Sequence, residues 1–192
     1  MDFLPPFRKA KRLPAVFSWE EVKRILAGAA NLKHQAMLTL IYSSGLRVSE
    51  LPGLRPADVL RSKMQLRINQ GKGRKDRITV LSHQALALLG RYWKQYQPQV
   101  WLFEGRTKGT QINPRSVQHA YYKAKEKAGI SRSAGIHTLR HSFATHTLET
   151  GGGIFQLQKL LGHKQLRTTL VYLHLQNEKI LLQSPLDVYG KA

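Results

Sequence analysis

Only one stretch of the chain alternates as a strand must. Gln65-Leu-Arg-Ile-Asn69 and Arg77-Ile-Thr-Val-Leu81 each change character residue by residue, and Gln70-Gly71-Lys72-Gly73-Arg74-Lys75-Asp76 lies between them. Two short strands around a glycine-bearing basic turn predict a β-hairpin. Nearly everything else follows helical spacing. The chain is therefore confined to a mainly α fold with a small antiparallel β-hairpin or sheet, an α+β arrangement.

Ser18-Trp-Glu-Glu21 is a capping box, and Val22, Ile25 and Leu26 follow at helical spacing, so a first helix starts near Trp19. Gly28 and Asn31 read as its stop signals. A second, apolar helix is expected over 35–42, and Val48, Leu51 and Leu54 suggest a third with Ser44 as its cap. Beyond the hairpin, helices are expected over 84–96, from the Asn113-Pro114 cap to Ala128, over 138–150, from Ile154 to the stop at Gly162, and over 168–174.

At 192 residues and 42% hydrophobic, the chain suits one domain, or one with a small appendage. No stretch reaches transmembrane length and the start lacks the apolar run of a signal peptide. With no cysteine, disulfides and thiolate metal sites are excluded, and a reducing cytoplasm fits. Thirty-one Lys and Arg stand against 11 Asp and Glu, a net charge of +20. That excess favours a polyanionic partner, most commonly nucleic acid. An acidic membrane surface competes less well, because the cations are spread along the chain and not gathered on one amphipathic helix.

The chemistry-bearing residues concentrate in one window: His137-Thr-Leu-Arg140-His141, Leu161-Gly162-His163 and Tyr172. Imidazoles move protons, a guanidinium neutralises phosphate and a phenol can attack phosphorus, a set suited to a phosphodiester. His137 and Arg140, three apart, share a helix face. Alone, that pair reads better as an ordinary helix-start histidine and a surface arginine. His141 and His146 read as supporting or core residues. Tyr172 could equally pack in the core with its hydroxyl bonded. Glu50, one turn after Arg47, makes either an exposed ion pair worth ~0.2–0.5 kcal/mol or a group that orients Arg47 toward phosphate. Lys72 is either a solvated turn residue or an ammonium aimed at a phosphate groove, flanked by Arg74, Lys75 and Arg77.

Taken together and in order, Ser-Gly-Leu-Arg47-Val-Ser-Glu50-Leu, Gly-Lys72-Gly-Arg-Lys-Asp-Arg, His137-Thr-Leu-Arg140-His-Ser-Phe-Ala-Thr-His and Leu-Gly-His163 resemble the tyrosine recombinase (phage integrase) family. The likeness is to Xer-type and integron-type members and runs from about Ser18 to about His174. It implies a site-specific DNA recombinase in which Tyr172 is the nucleophile and forms a 3′-phosphotyrosine. It further implies that Arg47 and Arg140 clamp the non-bridging oxygens and that Lys72 protonates the leaving 5′-oxygen. His137 assists proton transfer at the nucleophile, His163 donates to the phosphate and Glu50 is the acidic residue behind the arginines. Arg74, Lys75 and Arg77 are expected to contact DNA. The adjacent arginines are expected to favour the ionised phenol. No metal and no cofactor is implied. The expected partner is a double-stranded DNA recombination site, with a homo-tetramer on DNA, a monomer or weak oligomer without it, no membrane, and a cytoplasmic, nucleoid-associated setting. A catalytically impaired DNA-binding protein of the same fold and a type IB-like topoisomerase are the alternatives.

The expected organisation is a basic linker or arm over 1–17, a catalytic domain over 18–176 and a tail over 177–192 that docks on a neighbouring protomer or on its own core. Family members usually carry a separate N-terminal core-binding domain. It is absent from this reading, as an excised fragment or a short form would have it. Pro52 stands where an aliphatic residue is usual, and is expected to kink the helix that carries Arg47.

Overall fold

A computed structural model describes residues 14–69 and 76–175. Helix α1 (Trp19–Ala27) opens on the expected capping box: Glu21 N–H donates to Ser18 Oγ and Ser18 N–H to Glu21 Oε2. Asn31, read as a stop, is instead the N-cap of α2 (Leu32–Ser43), its side chain accepting from His34 N–H at 2.8 Å. Asparagine serves at either end of a helix, so the residue type alone does not choose.

The central helix is α2, which buries Ala36, Met37, Leu38, Leu40 and Ile41 and packs against α1, α3 (His83–Tyr96), α4 (Pro114–Lys127) and α5 (His137–Glu149). A helix apolar on most sides belongs inside a bundle. Its exit is sharp. Gly45 takes φ +60°, and a Cβ there would lie 2.5 Å from the Phe143 ring. Only glycine meets both demands cheaply.

The helix expected after this break is a 3-10 turn, Val48–Gly53, entered from Arg47 in extended conformation and containing Pro52. Proline would break the i→i−4 bonding of an α-helix, and the shorter 3-10 geometry accommodates it. Pro52 thus fixes a short turn and does not kink a longer helix.

The sheet has three antiparallel strands in the order β1 (Val59–Leu60), β2 (Gln65–Ile68), β3 (Arg77–Val80). The two-residue β1 escaped sequence reading because it is too short to alternate. Register pairs Leu66 with Thr79 and Arg67 with Ile78. Leu66 and Ile68 face the core. On β3, however, Arg77 and Thr79 face inward while Ile78 and Val80 are 42% and 40% exposed. The hydroxyl of Thr79 donates to Ser44 O at 2.8 Å, tying the sheet to the end of α2.

After α5 come α6 (Ile154–Leu161), α7 (Arg167–Leu170) and a 3-10 turn, Leu173–Leu175. The helix expected over 168–174 is therefore two pieces, with Tyr172 between them. One large core joins α1–α5 and the sheet. A smaller cluster of Phe143, Ala144, Leu148, Leu157, Leu161 and Tyr172 joins α5 to α6. Among the described residues no helix is long and apolar enough to cross a membrane. The tail over 177–192 and most of the lead lie outside the described residues.

Phe17 corrects the expected boundary of the lead. It is fully buried, its N–H donates to Ser142 Oγ at 2.8 Å, and Arg132 stacks on its ring. Phe17→Ala is expected to cost about 3–5 kcal/mol, as large aromatic truncations in cores do. A stability loss from urea denaturation of less than about 1 kcal/mol would place the residue outside the cooperative unit.

Candidate active site

The site is assembled around one carboxylate. Glu50 is only 9% exposed, held in the 3-10 turn by accepting from Arg47 N–H at 2.7 Å. Its Oε1 accepts from Arg47 Nη1 at 2.9 Å and from Arg77 Nη1 at 2.9 Å, while its Oε2 accepts from Arg77 Nη2 at 3.0 Å. Arg140 Nη1 lies 4.0 Å from the same Oε2. Three guanidiniums from a turn, a strand and a helix therefore converge on one anion. Burial pushes the Glu50 carboxyl up, but Arg77, the Arg47 N–H and Arg140 together hold it below the usual carboxylate range.

Arg77 was expected at the DNA surface, and the structure puts it elsewhere. Besides its fork on Glu50, its Nε donates to Leu160 O at 2.9 Å, and its side chain is 8% exposed. Its stem crosses Gly162 so closely that a Cβ there would stand 2.6 Å from Arg77 Cδ. The glycine of Leu-Gly-His, at φ +63°, thus both ends α6 and admits this arginine. Arg77 is a buttress for Glu50, because the inward side of β3 carries it into the core.

Arg140, 4% exposed, donates through Nη1 to Gly45 O and through Nη2 to Leu161 O at 2.7 Å. The same Nη2 meets His163 Nε2 at 3.3 Å, the longest of these three hydrogen bonds. Burial first, then Arg47, depresses the Arg140 guanidinium to about 9, against the pull of Glu50; it stays charged at neutral pH. Arg47 is the more accessible partner, its side chain 21% exposed.

The tautomer of His163 follows from its neighbours. A guanidinium only donates, so Nε2 accepts from Arg140 and Nδ1 carries the proton toward Thr169 Oγ1 at 2.9 Å. Burial and then Arg140, Arg47 and Arg77 bring this imidazole down to about 4, so the ring is neutral at pH 7.

Tyr172 sits beside it, 4% exposed, its ring stacked on His163 with centroids 6.4 Å apart. Its hydroxyl is 2.9 Å from His141 Nδ1. Burial raises the phenol's pKa, and Arg140 and Arg47 only partly oppose it. The arginines do favour the ionised phenol, as expected, but in the free protein desolvation outweighs them.

The structure brings together Arg47, Glu50, Arg140, His163 and Tyr172. His137, the first residue of α5, is exposed. Lys72, Arg74 and Lys75 lie outside the described residues. Sequence reasoning left His141 among the supporting residues and passed over Thr169. The helical spacing that paired His137 with Arg140 applies equally to His141, four residues on, so that signal was present. Nothing marks Thr169 out.

Residues 16–179 match the phage integrase family. A putative integrase/recombinase, y4qK, of Sinorhizobium fredii is 40% identical over 183 residues, 95% of this chain and 59% of that protein. The crystal structure of XerA recombinase superposes with a TM-score of 0.79 at 29% identity, covering 90% of this chain and 63% of that one. A post-cleavage complex of the XerH site-specific recombinase with its palindromic difH substrate gives 0.75 at 25% identity, over 86% of this chain and 51% of that one. The fold is that of a tyrosine recombinase catalytic domain. The chain belongs to the phage integrase family. It spans about three-fifths of the length of most of the curated relatives it matches.

Glu50→Gln keeps the shape but removes the anion from three guanidiniums; a stability loss of about 3 kcal/mol is expected in urea titration, since breaking a buried pair strands its partners. The two depressed imidazoles give a pH dependence of definite sign. His141 and His163 are neutral in the folded protein down to about 4, against an ordinary 6.5. Between those values the unfolded chain binds more protons, so stability is full above about pH 6.5 and falls as pH drops toward about 4. Replacing both rings by Gln should flatten that limb of a urea-midpoint-against-pH curve; an unchanged slope would assign it to other groups.

Proposed function

We propose that this chain is the catalytic domain of a site-specific recombinase that cuts and rejoins double-stranded DNA through a 3′-phosphotyrosine on Tyr172. The observation that carries the reading is the surplus charge around Glu50. One carboxylate faces Arg47, Arg77 and Arg140, so two positive charges remain uncompensated within reach of the Tyr172 hydroxyl. Such a cluster is costly unless an anion completes it, and a scissile phosphate is the anion a nearby phenol can attack.

In this reading Arg47 and Arg140 hold the non-bridging oxygens and stabilise the charge that builds on the pentavalent phosphorus. The phosphate would displace the long Arg140–His163 contact. With an anion beside it, His163 Nε2 gains a proton and becomes a donor. Lys72 protonates the departing 5′-oxygen, and His137 assists proton movement at the nucleophile. Arg74 and Lys75, in the sequence between β2 and β3, supply further phosphate contacts, consistent with the net charge of +20. Because the P–O bond energy is kept in the tyrosyl ester, rejoining needs no nucleotide. Assembly as a homo-tetramer on paired recombination sites, in the cytoplasm, completes the proposal.

Incubation with a nicked suicide substrate from the chain's own locus tests it. The parent chain is expected to give an SDS-resistant protein–DNA band. Tyr172→Phe should give none while its DNA affinity stays within about threefold, because a hydroxyl adds little to a phosphate-dominated interface. A covalent band from the Phe variant would remove Tyr172 as nucleophile.

A further inference from the structure

The hydroxyl of Tyr172 must lose its proton as its oxygen bonds to phosphorus. The resemblance assigns help at this step to His137, yet the group in contact with the hydroxyl is His141. Its Nδ1 lies 2.9 Å from Tyr172 Oη, with the two ring centroids 5.8 Å apart. Tyr172 is buried and His141 half-buried, and His163 stacks on the tyrosine ring. His137 is one helical turn earlier on α5 and exposed, close enough for its charge to act on His141.

Proton inventory supports a direction. Burial, then His137 and Arg140, keep the His141 ring neutral, with a pKa of about 4, and burial keeps the phenol protonated. In its Nε2–H tautomer the neutral ring presents Nδ1 to the phenolic hydroxyl as an acceptor already in place. The positive charge of Arg140, which together with burial disfavours an imidazolium in the free protein, is offset once a phosphate enters, so the ring becomes more basic when the proton must move.

Resting on the reading of Tyr172 as nucleophile, we propose that His141 is a catalytic residue that accepts the Tyr172 hydroxyl proton on Nδ1 during strand cleavage and returns it during rejoining. As the Oη–P bond forms, the O–H proton passes to Nδ1. The P–O5′ bond breaks and the 5′-oxygen leaves as a hydroxyl, protonated by the acid assigned to Lys72. In rejoining, the 5′-hydroxyl attacks and returns its proton to the group assigned to Lys72, the Oη–P bond breaks, and Nδ1–H gives its proton to the departing phenolate oxygen. His137, one turn earlier on α5, then assists from behind His141.

The test is single-turnover cleavage of the suicide substrate by the full chain. His141→Asn can still hydrogen-bond the hydroxyl but cannot take a proton at neutral pH. It is expected to cleave about a hundredfold more slowly, the lower range for a lost general base, with thermal midpoint and DNA affinity near the parent's. His141→Gln serves as the second variant if Asn lowers the midpoint. A fluorinated tyrosine at position 172, whose phenol ionises more readily, should shrink the deficit by about tenfold or more, a response that mere positioning would not produce. Parental rates in both variants, a faster rate from release of a resting lock, or a deficit untouched by fluorination would each overturn the assignment. Tyr172→Phe, run alongside, separates the failures. An adduct from Phe sinks the nucleophile reading itself, whereas a silent Phe variant with a parental Asn variant sinks only the role of His141.

Discussion

Everything in the site hangs on a buried carboxylate that is outnumbered. Glu50 receives hydrogen bonds from the side chains of Arg47 and Arg77 and lies 4.0 Å from Arg140, and those arginines come from three separate elements. A single exposed ion pair of this kind contributes little, but here the carboxylate is desolvated and its removal would strand three cations. The arrangement therefore works as a clamp between the 3-10 turn, β3 and α5. It is also under-neutralised, which makes the clamp receptive to a second anion.

The backbone around the clamp is shaped to let guanidiniums in. Gly45, at positive φ and pressed against Phe143, turns its carbonyl to Arg140. Gly162 leaves room for the stem of Arg77. The carbonyls of Leu160 and Leu161, at the end of α6, accept from Arg77 and Arg140. A helix C-terminus leaves its last carbonyls without intrahelical partners and carries partial negative charge, so two cations there satisfy what the helix could not. The tight packing of Leu-Gly-His against the arginines thus brings His163 to Arg140 without any special feature of the histidine itself.

Much of this was legible in the sequence, and the exceptions have physical reasons. Ser18 and Asn113 cap helices by local chemistry, so those starts could be read. Val48–Gly53 could not be read as 3-10, because apolar spacing over six residues does not separate it from a short α-helix. Arg77 was assigned to the surface because a basic residue beside a basic turn ordinarily faces water. Strand period decides otherwise: with Thr79 bonded to Ser44 O, the odd positions of β3 face inward and Ile78 and Val80 are left outside. Hydropathy alone would have chosen the opposite face. The buried character of Glu50 was invisible for the same reason, since it depends on a partner 27 residues away.

The two roles weighed for Tyr172, core aromatic and nucleophile, turn out not to exclude each other. Its ring belongs to the cluster of Phe143, Leu157 and Leu161, and its hydroxyl is bonded, as a structural tyrosine's would be. Burial then sets its chemistry. In the free protein, desolvation keeps the phenol protonated despite two arginines nearby, so the group is held in place but poorly nucleophilic. In the proposed function, an incoming phosphate would engage those same arginines and lend its negative charge to His141 and His163, which burial first and nearby positive charge second keep neutral. On that proposal activation is tied to occupancy: the imidazoles become better proton carriers when there is a phosphodiester to act on. A buried phenol beside arginines in excess of their carboxylate is then a resting arrangement that the proposed substrate would complete.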